Sequence, residues 1–222
     1  MASTNKIAVL GGGSVGSTLA KALADADEDV VIAARDPART AENLARRNVS
    51  GLRVEPVADA LGSASVIILA TPSVRDDAGI RALAASLGDV SGKVVINATN
   101  PLGSFGESLN VRWVGDGTSG GEVLASALPG ARVYKAFNTV GVEHMRSALG
   151  KDMMIAGDPD GQSRAIAEGV VKVVGFRPFY VGPIRYARNL EAVAELWIHM
   201  AVPPLGARDA SRRFWFSISG DP

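Results

Sequence analysis

Short apolar runs alternate with alanine-rich segments along most of this chain. The runs are rich in Val and Ile and nearly continuous, as in strands buried on both faces of a parallel sheet. They are Ile7–Leu10, Val30–Ala33, Val66–Leu69, Val94–Ile96, Val133–Phe137, Met153–Ile155 and Phe176–Val181. The segments between them have helical spacing and are Ser14–Ala24, Pro37–Arg47, Asp76–Leu87, Gly120–Leu128 and Gly161–Val173. This alternation predicts an α/β fold with a doubly wound, mostly parallel sheet built from right-handed βαβ units.

A glycine-rich stretch, GGGSVG at residues 11–16, joins the first predicted strand to the first predicted helix. In this context a G-x-G-x-x-G pattern is typical of the turn that binds the pyrophosphate of a dinucleotide in a Rossmann domain. Gly11 would permit the tight turn, Gly13 the approach of the pyrophosphate, and Gly16 close packing of helix on strand. Free N–H groups at the helix N-terminus would then face the phosphates. The alternative is a plain turn without a ligand.

The end of the second predicted strand distinguishes NAD from NADP. NAD-binding domains usually have an acidic residue there for the ribose hydroxyls, whereas this chain has Ala34 followed by Arg35, with Arg39 one helical turn further on. Guanidinium groups bind a 2′-phosphate through charged, forked hydrogen bonds. Asp36 would favour NAD if it pointed inward, but its place before Pro37 indicates a helix N-cap. The stretch therefore predicts NADP.

The last part of the chain has a different pattern. Residues 184–201 predict one long helix that is apolar around much of its circumference, so either its own domain or a second subunit would bury it. A homodimer is one expectation. Pro203-Pro204 would end this helix, and the tail from Arg212 to Pro222 would form a short strand or be mobile. We therefore divide the chain into an NADP-binding Rossmann domain, residues 1–182, and a helical C-terminal appendage, residues 183–222.

Composition narrows the function classes. The chain has no cysteine, which excludes disulfides, thiolate metal sites and thiol catalysis. Its 23 basic and 23 acidic side chains balance, so no net charge draws it to nucleic acid or to an anionic membrane. No uncharged apolar run reaches the roughly 20 residues of a membrane span, and a strand at residues 6–10 leaves no room for a signal peptide. We expect a cytoplasmic protein with a small-molecule partner and no metal ligands.

Six segments together carry a more specific signal: GGGSVGSTLA, AARDPART, VIILATP, VVINATNP, VYKAFNTVG and YVGPIRYARNLEAVAELW. In this order they resemble the NADP oxidoreductases that depend on coenzyme F420, and the chain is similar to the cytosolic oxidoreductase domain of the six-transmembrane metalloreductases. The resemblance extends to about Ala201. Its most specific parts are Arg-x-Pro-x-Arg-Thr, from Arg35, and Gly-Pro-Ile-Arg-x-Ala-Arg, from Gly182.

The resemblance implies direct hydride exchange between NADPH and coenzyme F420 or a flavin (FAD or FMN) that lies against the nicotinamide. Residues of the glycine loop would line the pyrophosphate, and two arginines would hold the 2′-phosphate. Residues after two further strands would flank the nicotinamide, and a last group would form the pocket of the second ring. The loop and arginine set is Gly11, Gly12, Gly13, Ser14, Val15, Gly16, Arg35 and Arg39. The nicotinamide set is Ala70, Thr71, Pro72, Asn100 and Pro101. The second-ring set is Ala136, Phe137, Asn138, Thr139, Gly182, Pro183 and Ile184. No catalytic acid or base is expected, because hydride transfer depends on orientation and the cofactors carry the reactive atoms.

Alternatives stay open at this point. The chain could reduce ferric chelates through a flavin or reduce an imine, although imine reductases usually have a much longer helical dimerisation domain. It could also be a non-catalytic redox sensor that binds NADP, because a fold does not establish chemistry. Lys135 could contact an anionic group of the second cofactor or reach solvent along its stem. Arg185 and Arg188 could bind an anionic cofactor or pair with Glu191 and Glu195.

Overall fold

The computed structural model describes residues 5–102, 117–201, 212 and 214–219. Within them, eight strands form a single sheet in the order β3-β2-β1-β4-β5-β6-β7-β8. The strands are β1 Ile7–Leu10, β2 Val30–Ala34, β3 Arg53–Pro56, β4 Val66–Leu69, β5 Val94–Asn97, β6 Arg132–Lys135, β7 Asp152–Gly157 and β8 Arg177–Gly182. The helices are α1 Ser14–Asp25, α2 Pro37–Arg46, α3 Val57–Ser63, α4 Asp77–Ser86, α5 Gly120–Ala127, α6 Val142–Met145, α7 Gly161–Val174 and α8 Ala187–Ala201.

The sheet is mostly parallel, and helices cover both of its faces. Strands β1 to β6 are parallel, β7 is antiparallel to β6, and β8 is parallel to β7. Apolar side chains of α1 and α7 pack on one face, and those of α3, α4 and α5 pack on the other. Every residue of β1, β2, β4 and β5 is buried, which explains their continuous apolar sequences. The predicted α/β, doubly wound Rossmann fold is confirmed.

Several predicted boundaries were wrong, and two elements were missed. Strand β3 reads Arg-Val-Glu-Pro and lies half exposed at the sheet edge, so it has no apolar run to detect. The short helix α3 was also missed. Strand β6 ends at Lys135 rather than at Phe137, because Phe137 has a φ of 62°, outside the extended region. The single helix predicted from Ile184 begins as a 3₁₀ turn at Ile184–Tyr186, and α8 follows.

The C-terminal tail is held by hydrogen bonds where it is described. Residues 214–219 have no regular secondary structure, so the expected short strand is not formed there. Asp152, the first residue of β7, accepts hydrogen bonds from Ile218 N–H at 2.7 Å and from Ser217 Oγ at 2.9 Å. Trp197 Nε1 donates to the Phe214 carbonyl oxygen at 3.1 Å. The predicted stop at Pro203-Pro204 lies outside the described residues.

Among the described helices, none combines the length and the apolar character that a bilayer span requires.

Candidate active site

The carboxyl ends of the parallel strands place the loops that follow them along one edge of the sheet. Strand β1 lies between β2 and β4, so the order in which strands are added to the sheet reverses there and leaves a crevice at the strand ends, where ligands of such sheets bind. The glycine loop follows β1 and touches the loop that follows β4: a Cβ added to Gly11 would lie 2.4 Å from the Ala70 carbonyl oxygen. The predicted loop residues 11–16 and 70–72 are therefore neighbours.

The three glycines of the fingerprint are needed for different reasons. Gly11 has a φ of 119°, which glycine adopts without steric strain. A Cβ on Gly16 would lie 1.9 Å from the Gly11 carbonyl oxygen, so helix α1 can approach β1 this closely only with glycine there. Around Gly13, by contrast, a Cβ would meet nothing within 4 Å. Packing explains Gly11 and Gly16, whereas Gly13 opens onto free space in front of α1.

Helix α1 begins without a side-chain cap. Its N-cap residue is Gly13, and no side chain accepts a hydrogen bond from its first turn. Helices α2, α4, α5 and α7 do have such caps, supplied by Asp36, Asp76, Ser119 and Asp160. The uncapped N–H groups and the positive end of the helix dipole at Ser14 and Val15 therefore form a site suited to a phosphate.

Two free guanidinium groups lie beside this helix end. Arg35 and Arg39 are exposed, and neither side chain has a hydrogen bond or ion pair within the described part of the chain. The Asp36 carboxylate accepts the Arg39 backbone N–H at 3.0 Å and caps α2, so its predicted N-cap role is confirmed. A cleft of about 450 Å³ joins these features, and it is lined by Leu10, Gly11, Gly12, Ala33, Ala34, Arg35, Asp36, Arg39, Thr40, Asn43, Thr71 and Pro72.

Two residues of the glycine-loop environment were missed from the sequence. Arg47 donates from its guanidinium to the Gly12 carbonyl oxygen at 3.1 Å and to Ser17 Oγ at 3.0 Å. Thr40 lies so close that a Cβ on Gly12 would be 2.6 Å from its methyl group. These contacts tie α2 to the loop that precedes α1. Because Arg47 and Gly12 are 35 positions apart, no local pattern could have indicated the pairing.

A pair of asparagine side chains joins the loops after β5 and β6. Asn100 Nδ2 donates to the Asn138 backbone oxygen at 2.9 Å, and Asn138 Nδ2 donates to Asn100 Oδ1 at 3.0 Å. Asn138 Nδ2 also donates to the Leu190 carbonyl oxygen of α8 at 3.0 Å. The structure thus brings together two residues that were predicted to lie near the two cofactor rings.

A buried ion pair lies next to these asparagines. Lys135 Nζ is 2.9 Å from Glu191 Oε1, and the two side chains are 1% and 2% exposed. Of the two alternatives left open for Lys135, reaching solvent is therefore wrong, and its ammonium group is paired within the protein. Arg188 pairs with Glu122 rather than with Glu191 or Glu195, and these hydrogen bonds raise the pKa of Arg188. Arg185 lies over the ring of Tyr186, 5.1 Å from its centroid.

The other members of the predicted second-ring set are mostly buried. Ala136 and Phe137 belong to the hydrophobic core, where the Phe137 ring lies 6.2 Å from the ring of Phe176. Thr139 is also buried. Ile184 is partly buried against the other core cluster, and Gly182 contacts the Tyr186 ring so closely that a Cβ there would lie 2.9 Å from it.

The remaining members of the nicotinamide and second-ring sets lie around this edge. Thr71 Oγ1 is buried without a hydrogen-bond partner, whereas Pro72 is exposed and Pro101 is buried. Pro183 directly precedes the 3₁₀ turn. The cofactor roles of both sets stay predictions. No group of three or more His, Asp or Glu residues in the described ranges could hold a metal ion.

Comparison with known proteins finds similar sequences and folds. Residues 6–101 match the family described as NADP oxidoreductase, coenzyme F420-dependent. The chain is 28% identical over 191 residues to the metalloreductase STEAP3 of Rattus norvegicus, an alignment that covers 85% of this chain and 36% of that protein. The chain thus spans about a third of the length of this relative.

Two solved structures extend the comparison. One is a candidate F420-dependent NADP-reductase from Arthrobacter sp. FB24, with 27% identity and a TM-score of 0.79 over 97% of this chain and 100% of that one. The other is an imine reductase from Aspergillus terreus, with 20% identity and a TM-score of 0.62 over 90% of this chain and 66% of that one. The second likeness concerns the fold alone.

Proposed function

We propose that this NADP-dependent oxidoreductase, whose residues 6–101 match the coenzyme F420-dependent family, transfers a hydride between NADP(H) and a second cofactor. The second cofactor would be a deazaflavin of the F420 type or a flavin. NADPH would supply the hydride, and the second ring would accept it together with one proton from solvent, which leaves NADP⁺. The chain's own part is to bind and orient the two rings, because a close, aligned approach accounts for much of the acceleration of such a step.

The observation that carries the NADP half of the proposal is the uncapped end of α1 beside two unpaired arginines. The pyrophosphate would accept hydrogen bonds from N–H groups of residues 13–15, in the free space in front of Gly13. Arg35 and Arg39 would hold the 2′-phosphate. The Asp36 carboxylate caps α2, so it does not point towards the 2′-phosphate and does not repel it.

The choice of the second cofactor is supported by similarity to known proteins and not by a cleft in the structure. The family matched by residues 6–101 and the Arthrobacter structure are both described as F420-dependent, which favours a deazaflavin. The similarity to STEAP3 supports a second candidate, a flavin-dependent ferric reductase. In either case the second ring would lie near residues 136–139 and 182–184, at the C-terminal appendage.

Rapid mixing of the protein and NADPH with coenzyme F420, FAD or FMN tests this proposal. We expect fast loss of the NADPH absorbance with at least one acceptor, and much slower loss with NADH as the donor. Reaction with F420 alone would assign a deazaflavin, and reaction with FAD or FMN alone would assign a flavin. If NADPH binds but reduces none of the three, the proposal is wrong and a binding-only redox sensor becomes the better interpretation.

We also propose that the protein is a cytoplasmic homodimer. Helix α8 buries one side on its own domain but leaves Leu196 51% and Met200 43% exposed. Both lie on one helix face four residues apart, and neighbouring large apolar side chains of this kind are typical of an interface. The exposed Tyr186 precedes the same helix.

A further inference from the structure

The ion pair between Lys135 and Glu191 is an unusual feature to find in the core of this protein. Moving two charges out of water is unfavourable, and a buried pair is often no more stabilising than apolar side chains of similar volume. Fold stability therefore does not by itself explain why these two side chains are 1% and 2% exposed. Their remaining hydrogen bonds indicate another role.

Each partner of the pair also holds backbone at the carboxyl edge of the sheet. Lys135 Nζ donates to the Thr99 carbonyl oxygen at 2.6 Å, in the loop after β5. The Glu191 carboxylate accepts N–H groups from the first turn of α5, those of Gly121 at 3.1 Å and Gly120 at 3.3 Å. One charge pair thus joins the ends of β5 and β6 to the start of α5 and to α8.

The Asn100–Asn138 pair connects the same loop and the same helix as the ion pair. Asn100 follows Thr99 directly, and Asn138 donates both to Asn100 Oδ1 and to the carbonyl oxygen of Leu190, the neighbour of Glu191. Since a carbonyl oxygen can only accept, the Asn138 NH₂ group must face Leu190, and its Oδ1 faces elsewhere. That oxygen is buried and has no hydrogen-bond partner, in a residue that is only 4% exposed.

A buried acceptor without a donor is unfavourable, and a donor group of a bound ligand would remove this cost. The carboxamide of nicotinamide carries N–H donors of the required kind. We propose that Lys135 and Glu191 are positioning residues that fix the Asn100–Asn138 pair so that Asn138 Oδ1 accepts a hydrogen bond from this carboxamide. The pair acts through Asn138 and does not touch the reacting atoms. This inference rests on the proposed function, because it assumes that the nicotinamide lies at this edge.

The central variant replaces both charges, as Lys135→Met/Glu191→Leu. It leaves no unpaired buried charge, so we expect it to fold. We expect its affinity for 2′,5′-ADP, which reports the adenosine half of the site, to stay within about twofold of the wild type. Hydride transfer at saturating NADPH should fall at least about tenfold, a change of about 1.4 kcal/mol in the barrier, and the fluorescence of bound NADPH should shift towards that of free NADPH.

A second variant and a control keep the outcome interpretable. If the double variant does not fold, Glu191→Asp is used instead, which retains the charge and shortens the side chain by one methylene group. It should likewise keep the affinity for 2′,5′-ADP and lose hydride transfer. Lys93→Met is the matched control. Lys93 donates to the carbonyl oxygens of Leu61, Gly62 and Ala64 just before β5, at the opposite edge of the sheet, so its loss should change stability but not transfer.

The link through Asn138 is tested by combining variants. If the ion pair acts through Asn138, then Asn138→Ala alone and together with the double variant should reduce transfer equally, because coupled residues are not additive. Wild-type transfer in the double variant, or an equal loss of 2′,5′-ADP affinity, would overturn the inference. A wild-type protein that reduces no acceptor would contradict the proposed function, whereas the NADPH fluorescence comparison would still decide the role of the pair.

Discussion

A single hydrogen bond decides how the end of β2 is interpreted. Asp36 is the kind of residue that binds the ribose of NAD, yet its carboxylate accepts the Arg39 N–H and begins α2. The same bond fixes the first turn of α2, from which Arg39 extends beside Arg35. The acidic residue therefore positions the helix that presents a cation, and cofactor preference rests on the two arginines.

We expect Arg35→Ala to weaken NADPH binding by roughly 10-fold or more and to leave NADH binding unchanged. Hydrogen bonds to charged groups contribute about 1.5–3 kcal/mol, and only NADPH has the 2′-phosphate. Titration of each coenzyme, followed by nicotinamide fluorescence, measures the difference. Arg81→Ala removes an exposed arginine of α4 that pairs with Asp77 and serves as the matched control. An unchanged NADPH affinity in Arg35→Ala would contradict the assignment.

Two alanine substitutions in the glycine loop should affect different properties, one the stability of the fold and the other the affinity for NADPH. In Gly16→Ala the new Cβ would lie 1.9 Å from the Gly11 carbonyl oxygen, so we expect a loss of about 1–3 kcal/mol or more in the free energy of unfolding. In Gly13→Ala the methyl group enters open space, so stability should change by less than about 0.5 kcal/mol, while NADPH affinity falls. Urea unfolding and coenzyme titration of both variants separate these outcomes; equal destabilisation would contradict them.

At the scale of elements, the sequence was informative where a local pattern determines structure. Four fully buried strands read as continuous apolar runs, and Asp36 was correctly interpreted as a cap because capping involves residues three positions apart. The half-exposed strand β3 gave no such signal. The pairs Arg47–Gly12 and Lys135–Glu191 join residues 35 and 56 positions apart. Such partners are set by the packing of whole elements, which one sequence does not reveal.

The carboxylate of Asp152, the first residue of β7, holds the C-terminal tail by accepting hydrogen bonds from it. Hydrogen bonds from Arg177, and then from Ile218 N–H and Ser217, lower the pKa of Asp152 from 3.8 to about 2. Because the folded pKa lies below the ordinary value, this group stabilises the fold above about pH 4, and the contribution is lost as the pH falls towards 2. A shift of almost two units corresponds to roughly 2 kcal/mol.

We therefore expect the free energy of unfolding of the wild type to fall between pH 5 and pH 2 more steeply than that of Asp152→Asn. The variant should be less stable than the wild type at pH 7, and the difference should shrink towards pH 2, since protonation removes the same charge. Urea unfolding at several pH values measures both. A difference that stays constant across this range would show that Asp152 is not the titrating group.

At the scale of the whole molecule, the sheet and the C-terminal appendage meet at the proposed site. Helix α8 packs against α5 and β7, its Leu190 carbonyl oxygen accepts from Asn138 in the loop after β6, and its Glu191 pairs with Lys135 at the end of β6. In the proposed homodimer, the exposed Leu196 and Met200 of α8 would face the second copy. The same helix would then connect the cofactor edge of one subunit to the dimer interface.

We expect light scattering to give twice the mass of one chain, and Leu196→Lys to give the monomer mass. A lysine on the exposed side of α8 would place a charge within an apolar interface, which is unfavourable without a partner. Glu42→Lys, an exposed change on α2, is the control and should leave the mass unchanged. A wild-type protein with the mass of one chain at all concentrations would contradict the dimer.

The uncapped start of α1 has a consequence for how this protein can evolve. An Asp or Ser at position 13 would add roughly a few tenths of a kcal/mol through an N-cap hydrogen bond, but it would occupy the N–H groups that we assign to the pyrophosphate, and an Asp would also repel it. Selection for thermostability and selection for turnover would therefore favour different residues at the same position. Glycine there keeps the ligand-free protein less stable than its fold allows, in exchange for function.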